Sequence, residues 1–150
     1  MKESKDQYFV AVKLFLQDNG GRLLITKDRF GDWDIPGGRL REEDFDTSLP
    51  EVAERKVREE LGDKFAYELG EPAIFMRHER NEILPDGSRE PRRIFAIGYK
   101  STVTNPEIVP GKNHVEHRWV SAEDFNPADY FTGGWLKGVE EFKQRFMGNI

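Results

Sequence analysis

The chain has 150 residues, with 23 Lys and Arg against 28 Asp and Glu, a net charge of −5 and a pI near 5.3. That length suits one domain with a core of its own, and the acidic balance argues against a protein that coats a nucleic-acid polymer. The absence of Cys excludes disulfides and thiolate metal sites, and no apolar run suits a signal peptide or a membrane span, so a cytoplasmic location is the expectation.

No repeat, low-complexity stretch or linker divides the chain. Tyr8 to Leu16 is apolar apart from Lys13 and reads as a strand covered on both faces. Asp18-Asn19-Gly20-Gly21 is hairpin chemistry, because Asn and Gly take positive φ cheaply. Arg22 to Lys27 supplies the returning strand. A third strand is expected over Trp33 to Leu40, bent at Pro36-Gly37-Gly38. Leu49 to Leu61 reads as a helix, with Ser48 as its cap, Pro50 and Glu51 in its first turn, and Gly62 as its stop. Strands follow over Ala73 to His78 and Arg93 to Val103, separated by the turn Pro85-Asp86-Gly87-Ser88. Val115 to Val120 reads as a strand, and Ser121-Ala122-Glu123-Asp124 as a capped helical turn. The chain closes with an amphipathic helix carrying Trp135, Leu136, Val139, Phe142 and Phe146 on one face. A mixed sheet flanked by helices is the expected architecture.

Charge is unevenly spread. Arg77, His78, Arg80, Arg89, Arg92 and Arg93 fall in one stretch, whereas acids dominate Glu42 to Asp46. This segregation suits a polyanionic ligand held through cations, although each of these residues taken singly also reads as a solvated loop charge.

The first helix contains an anomaly. Leu49, Val52, Ala53, Val57 and Leu61 form its apolar stripe, and at about 100° per residue Glu60 falls inside that stripe and Glu59 on its border. An acid on a buried face is costly without compensation. A structural salt bridge, or a helix rotated to expose Glu60, would also account for it.

Residues upstream give the anomaly a meaning. Trp33-Asp34-Ile35-Pro36-Gly37-Gly38, an acidic loop, and Arg55-Lys56-Val57-Arg58-Glu59-Glu60-Leu61-Gly62 together resemble the Nudix box. The order of flanking elements is also similar to that family, with an apolar hairpin before the box and Arg118-Trp119-Val120 after it. The resemblance implies an α/β fold, an α/β/α sandwich with a mixed β-sheet. It also implies hydrolysis of a nucleoside diphosphate linked to a further group, assisted by Mg²⁺ or Mn²⁺. Oxygen-rich sites suit these hard ions.

By the same resemblance, Glu59 and Glu60 match the paired metal-binding acids, and Arg55 the arginine that orients an acid on this helix. Gly37 and Gly38 let the backbone turn tightly and approach a phosphate, or form an ordinary β-bulge. Three departures stand out. Lys56 replaces a usual glutamate. The loop between Gly38 and Arg55 is three residues longer than the pattern. Asp44 stands for a usual loop glutamate, without a preceding Gly, and is a candidate metal ligand along with its neighbours Glu42, Glu43 and Asp46. A further acid from outside the box is expected, with Glu116 the first candidate and Glu107 the second. His114 and His117, without Cys, make a weak case for zinc.

Arg77, Arg92 and Arg93 are candidates to grip phosphate through guanidinium forks. Trp33, Phe131 and Trp135 could stack on a base, yet each reads first as core, given how much area an aromatic buries. Gly133-Gly134 looks like a bent or flexible entry to the last helix. The partner expected is a small nucleotide-type molecule, with a homodimer left open. The competing reading is a nucleotide-binding domain without turnover, which Lys56 favours; isomerase chemistry that depends on a cysteine is disfavoured because there is no Cys.

Overall fold

The computed structural model of the protein describes residues 3–28, 30–110 and 114–148. Eight strands form one mixed sheet: β1 (Phe9–Gln17), β2 (Leu23–Asp28), β3 (Trp33–Asp34), β4 (Gly37–Arg39), β5 (Ala66–Glu68), β6 (Pro72–Ile83), β7 (Arg89–Asn105) and β8 (His114–Val120). Among the described residues two α-helices accompany them, α1 (Leu49–Leu61) and α2 (Gly133–Phe146). β1 runs at the centre, parallel to β7 from Phe9 opposite Ile94 to Gln17 opposite Thr102. β2 and β4 pair antiparallel with the other edge of the centre, and β6 pairs antiparallel with β7.

The alternation along β1 explains why the helices sit on opposite faces. Val12, Leu14 and Leu16 point to one side and pack with Leu24 against Val52, Ala53, Val57 and Leu61 of α1. Ala11 and Phe15 point to the other side, into a cluster with Val139 and Phe142 of α2. Phe15 and Phe142 stack with ring centroids 4.5 Å apart. This is the expected α/β/α sandwich, and the nearly unbroken apolar run of β1 reflects cover on both faces. Among the described residues no helix is long and apolar enough to cross a membrane.

α1 has the bounds the sequence suggests. Ser48 Oγ accepts from the Glu51 amide, and Gly62 ends the helix at φ 89°. Elsewhere the chain departs from expectation. The third strand splits at Ile35-Pro36, so that β3 pairs with β2 and β4 with β1. β6 and β7 form a longer hairpin than apolar content alone indicates, because their ladder continues through the charged pairs Glu79 with Arg93 and Glu82 with Glu90. β5 is short and was not foreseen. Ser121 Oγ bonds Asp124 in a simple turn, while a 3₁₀ turn at Pro127–Asp129 is the one that is capped, by Asn126.

Gly133 and Gly134 serve a close approach. A Cβ on Gly134 would lie 1.8 Å from the Arg77 carbonyl oxygen, so the start of α2 rests directly on β6. Gly134→Ala is therefore expected to cost about 3 kcal/mol in denaturant unfolding. Gly20→Ala, where the nearest atom is 3.6 Å away, should stay within about 0.5 kcal/mol of the parent.

Candidate active site

The apolar stripe of α1 carries Glu60 toward the sheet, and the sheet answers with polar groups. Gly37 directs its amide N–H at the carboxylate, 3.4 Å from each oxygen. Gly37 can do so because its φ of 137° and its contact with β1 exclude a side chain: a Cβ there would meet the Val12 carbonyl oxygen at 2.0 Å. Lys13, the single charge in β1, is buried and donates to Asp34 at 3.0 Å and to the Ile35 carbonyl at 3.2 Å. Burial pushes the Glu60 carboxyl up to about 7; Asp34 adds to the rise, while Lys13, the Gly37 amide and Lys56 oppose it.

Glu60, Glu59, Asp34 and Asp28 line a cavity of about 180 Å³ with Thr26, Lys27 and Lys56. Glu59 is exposed and held by Arg41 at 2.9 Å, with Arg55 at 3.7 Å. Lys56 forms no ion pair with either glutamate. Its side chain lies along Gly38, with Nζ 3.2 Å from where a Cβ would sit, and burial holds its pKa below the usual lysine value. Gly38 thus makes room for Lys56.

The acidic loop corrects two expectations. Asp44 is not a free ligand. It is 1% exposed, and both its oxygens are taken, one by Arg55 at 2.6 Å and the other by Arg55 at 2.7 Å and the Arg41 amide at 2.7 Å. Arg55 in turn orients this loop acid rather than principally an acid of its own helix. The guanidinium fork holds the Asp44 carboxyl well below the usual carboxylate range. The neighbouring Glu42, Glu43 and Asp46 are exposed and line no part of the acid cavity.

The other candidates lie further out. Glu116 faces Lys27 at 4.0 Å and Arg118 at 3.5 Å, off the cavity lining, because β8 pairs with the outer edge of β2. Glu107 is paired with Lys64 at 3.3 Å, also off it. Arg92 lies beside Glu82 and Glu90, and Arg93 beside Asp6 and Glu79, so acids already face both guanidinium groups. The side chain of His114 lies outside the described residues. No group of three His, Asp or Glu among the described residues is arranged to hold a metal ion.

Asp28 and Asp34 also line a second cavity, of about 560 Å³, whose wall includes Trp33, His78, Tyr130 and Trp135. Phe131 belongs to the core, being 3% exposed, although it touches this cavity. Arg77 and His78 border a third space of about 480 Å³ beside the start of α2. Sequence reasoning missed Asp34, Asp28 and Lys13 as site residues. Lys13 had left a signal, as the only charge interrupting an otherwise apolar strand.

The Asp44–Arg55 pair should anchor the loop to α1. Asp44→Asn is expected to lower the thermal midpoint at neutral pH. Because the native carboxyl is depressed from its ordinary 3.8, its contribution is complete above that value and lost as pH falls below it. The difference between parent and variant melting curves should therefore shrink in acid, and a difference independent of pH would contradict this role.

Comparison with known proteins agrees with this geometry. The chain is 28% identical over 120 residues to a nucleoside triphosphatase NudI of Klebsiella pneumoniae, covering 76% of this chain and 83% of the relative. The structure of a MutT protein from Methanosarcina mazei superposes with a TM-score of 0.63 at 21% identity over 96% of both chains. The dihydroneopterin triphosphate pyrophosphohydrolase of E. coli superposes with a TM-score of 0.66 at 15% identity, over 93% of this chain and 99% of that one. The family model described as the NUDIX domain matches residues 7–137. With the two glycines, the helix and its paired glutamates in place, the chain belongs to the Nudix hydrolase family.

Proposed function

We propose that the protein is a divalent-metal-dependent pyrophosphohydrolase acting on a nucleoside diphosphate linked to a further group, with nucleoside triphosphates the first class to test. The observation that carries this reading is Glu60, held partly buried beside Glu59 on a cavity that shares Asp28 and Asp34 with a neighbouring space of about 560 Å³. The name of the Klebsiella relative, a nucleoside triphosphatase, points the same way.

The donor set fits Mg²⁺ or Mn²⁺ chemically, since the cavity offers only oxygen ligands. Magnesium sites commonly use one or two carboxylates and complete their shell with water and substrate phosphate, so two glutamates, with Asp28 and Asp34 on the same cavity, are compatible with an ion that arrives with the nucleotide. When bound, such an ion neutralises phosphate charge and acidifies water. Glu59 and Glu60 would hold it. Lys27 and Lys56, on the lining of the same cavity, would face the phosphates. Water adds to one phosphorus, the bond to the bridging oxygen breaks, and two phosphate-bearing products separate. Arg55 acts through Asp44, keeping the loop against α1.

Glu59→Gln and Glu60→Gln should each lower Mg²⁺-dependent turnover on a nucleotide panel by about 100-fold or more. Near-normal turnover by both would sink the assignment. Glu60→Gln should also change stability in a defined direction. A carboxyl raised from 4.5 to about 7 in the folded state stabilises the fold fully only below 4.5, and that contribution is lost as pH rises to 7. The variant should then be more stable than the parent in alkali, by no more than about 3 kcal/mol, and not in acid.

A nucleotide-binding domain without turnover is the second reading, favoured by the cation at Lys56 where the family pattern carries an acid. Lys56→Glu separates the roles of this residue. If its charge only opposes the metal, the variant should reach half-maximal activity at lower Mg²⁺ with undiminished rate. Loss of activity at every Mg²⁺ concentration would instead mean that the ammonium contacts phosphate. Parent protein that binds nucleotides but releases neither phosphate nor pyrophosphate from any of them would establish the second reading.

A further inference from the structure

His78 sits on β6, the strand on which the start of α2 rests. Its ring stacks on Trp135 with centroids 4.5 Å apart and planes 19° from parallel. The Trp135 amide donates to His78 Nδ1 at 3.3 Å, while Thr132, the capping position of α2, makes no side-chain cap. His78 therefore caps α2 from the sheet. Nδ1 and Cε1 face Gly133, 3.1 and 3.2 Å from where a Cβ would lie, so even one extra carbon at Gly133 would press on the ring.

These contacts fix the chemistry of the other nitrogen. A neutral imidazole has one acceptor and one donor. Nδ1 accepts, so the hydrogen is on Nε2, and a proton on Nδ1 would oppose both the amide donor and the positive end of α2. Burial holds the His78 pKa below its usual value, with Arg80 and Lys13 contributing and Asp34 opposing. Nε2 has no hydrogen-bond partner among the described residues, and His78 lines the cavity of about 560 Å³. The result is an N–H donor locked by a stack and a hydrogen bond, with nothing yet to donate to.

The same cavity is lined by Asp28, Asp32, Asp34, Glu79 and Asp129 against Arg80. That excess of negative charge disfavours phosphate and suits the uncharged end of a nucleotide. The carboxylates accept from any N–H and discriminate little. A fixed donor does discriminate, because it attracts a carbonyl oxygen and opposes an amino group at the same ring position.

We propose that His78 is a specificity-determining residue that donates Nε2–H to an exocyclic carbonyl oxygen of the nucleobase, so that oxo bases such as uracil and hypoxanthine are taken in preference to their amino counterparts cytosine and adenine. This rests on the hydrolase reading above. Steady-state kinetics with Mg²⁺ on UTP against CTP, and on ITP against ATP, test it. The parent should favour the oxo member of each pair by about tenfold in kcat/KM, the worth of one net hydrogen bond. In His78→Asn the amide oxygen replaces Nδ1 as acceptor and the Nε2 donor is lost. The preference should collapse through KM with kcat kept, and the melting temperature should stay near that of the parent. In His78→Gln the amide nitrogen replaces Nε2, so the preference should persist even where α2 loses its cap and melts earlier.

An absence of preference in the parent, or a preference that survives in His78→Asn, overturns the assignment while leaving the hydrolase intact. A parent that turns over none of the four removes nucleoside triphosphates from the hydrolase reading. Binding of UMP and CMP, followed by Trp fluorescence, then decides His78 alone: unequal binding that His78→Asn equalises supports it, and equal binding by the parent overturns it.

Discussion

The arrangement depends on one carboxyl group placed where a helix ought to be apolar. α1 must bury Val52, Ala53, Val57 and Leu61 against β1, and this packing turns Glu60 to the sheet as well. Burying a carboxylate there would be prohibitive without compensation. The compensation is partial: an amide N–H from Gly37, the charge of Lys13 and that of Lys56, against the repulsion of Asp34. The group is left poised near neutrality, its negative charge available to whatever cation arrives. A fully paired Glu60 would be a structural salt bridge and nothing more.

Asp34 connects this poised group to the rest of the site. It holds Lys13 at 3.0 Å and lines both the acid cavity and the larger one beside it. Lys13 also lies 5.3 Å from the Trp135 ring centroid, so one buried ammonium touches the acid cluster on one side and the wall of the neighbouring space on the other. The two cavities are thereby built from a shared frame: Lys13 of β1 and Asp34 of β3 between them, Glu59 and Glu60 of α1 on one side, and Trp33, Tyr130 and Trp135 forming the aromatic wall on the other. Asp44 and Arg55 belong to this frame rather than to the chemistry, since their pairing leaves no oxygen of Asp44 free.

Local signals made much of this legible in the sequence. The apolar run of β1, the Ser48 cap and Gly62 stop of α1, and the misplaced Glu60 all follow from periodicity and capping, which act over a few residues. The parts that stayed hidden depend on which distant residues meet. Asp44 looked like a solvated acid among other acids, and only the fold shows Arg55 reaching it from α1. Arg92 and Arg93 looked free because the acids that neutralise them lie across the β6–β7 hairpin or at the start of the chain. Asp34 was visible within the Trp33 to Gly38 segment, but its reach into two cavities required the split between β3 and β4. His78 appeared as one charge in a basic stretch, and its actual partner is an amide more than fifty residues away.

The most direct measurement is the number of protons released when the protein binds Mg²⁺ in the absence of nucleotide, obtained by calorimetry in buffers of different ionisation enthalpy. A Glu60 carboxyl that titrates near 7 and must ionise to hold the ion should release close to one proton at about pH 6 and almost none above about pH 8. Glu60→Gln should release none at either. Binding by the parent without proton release at about pH 6, or with the same release in the variant, would contradict the account.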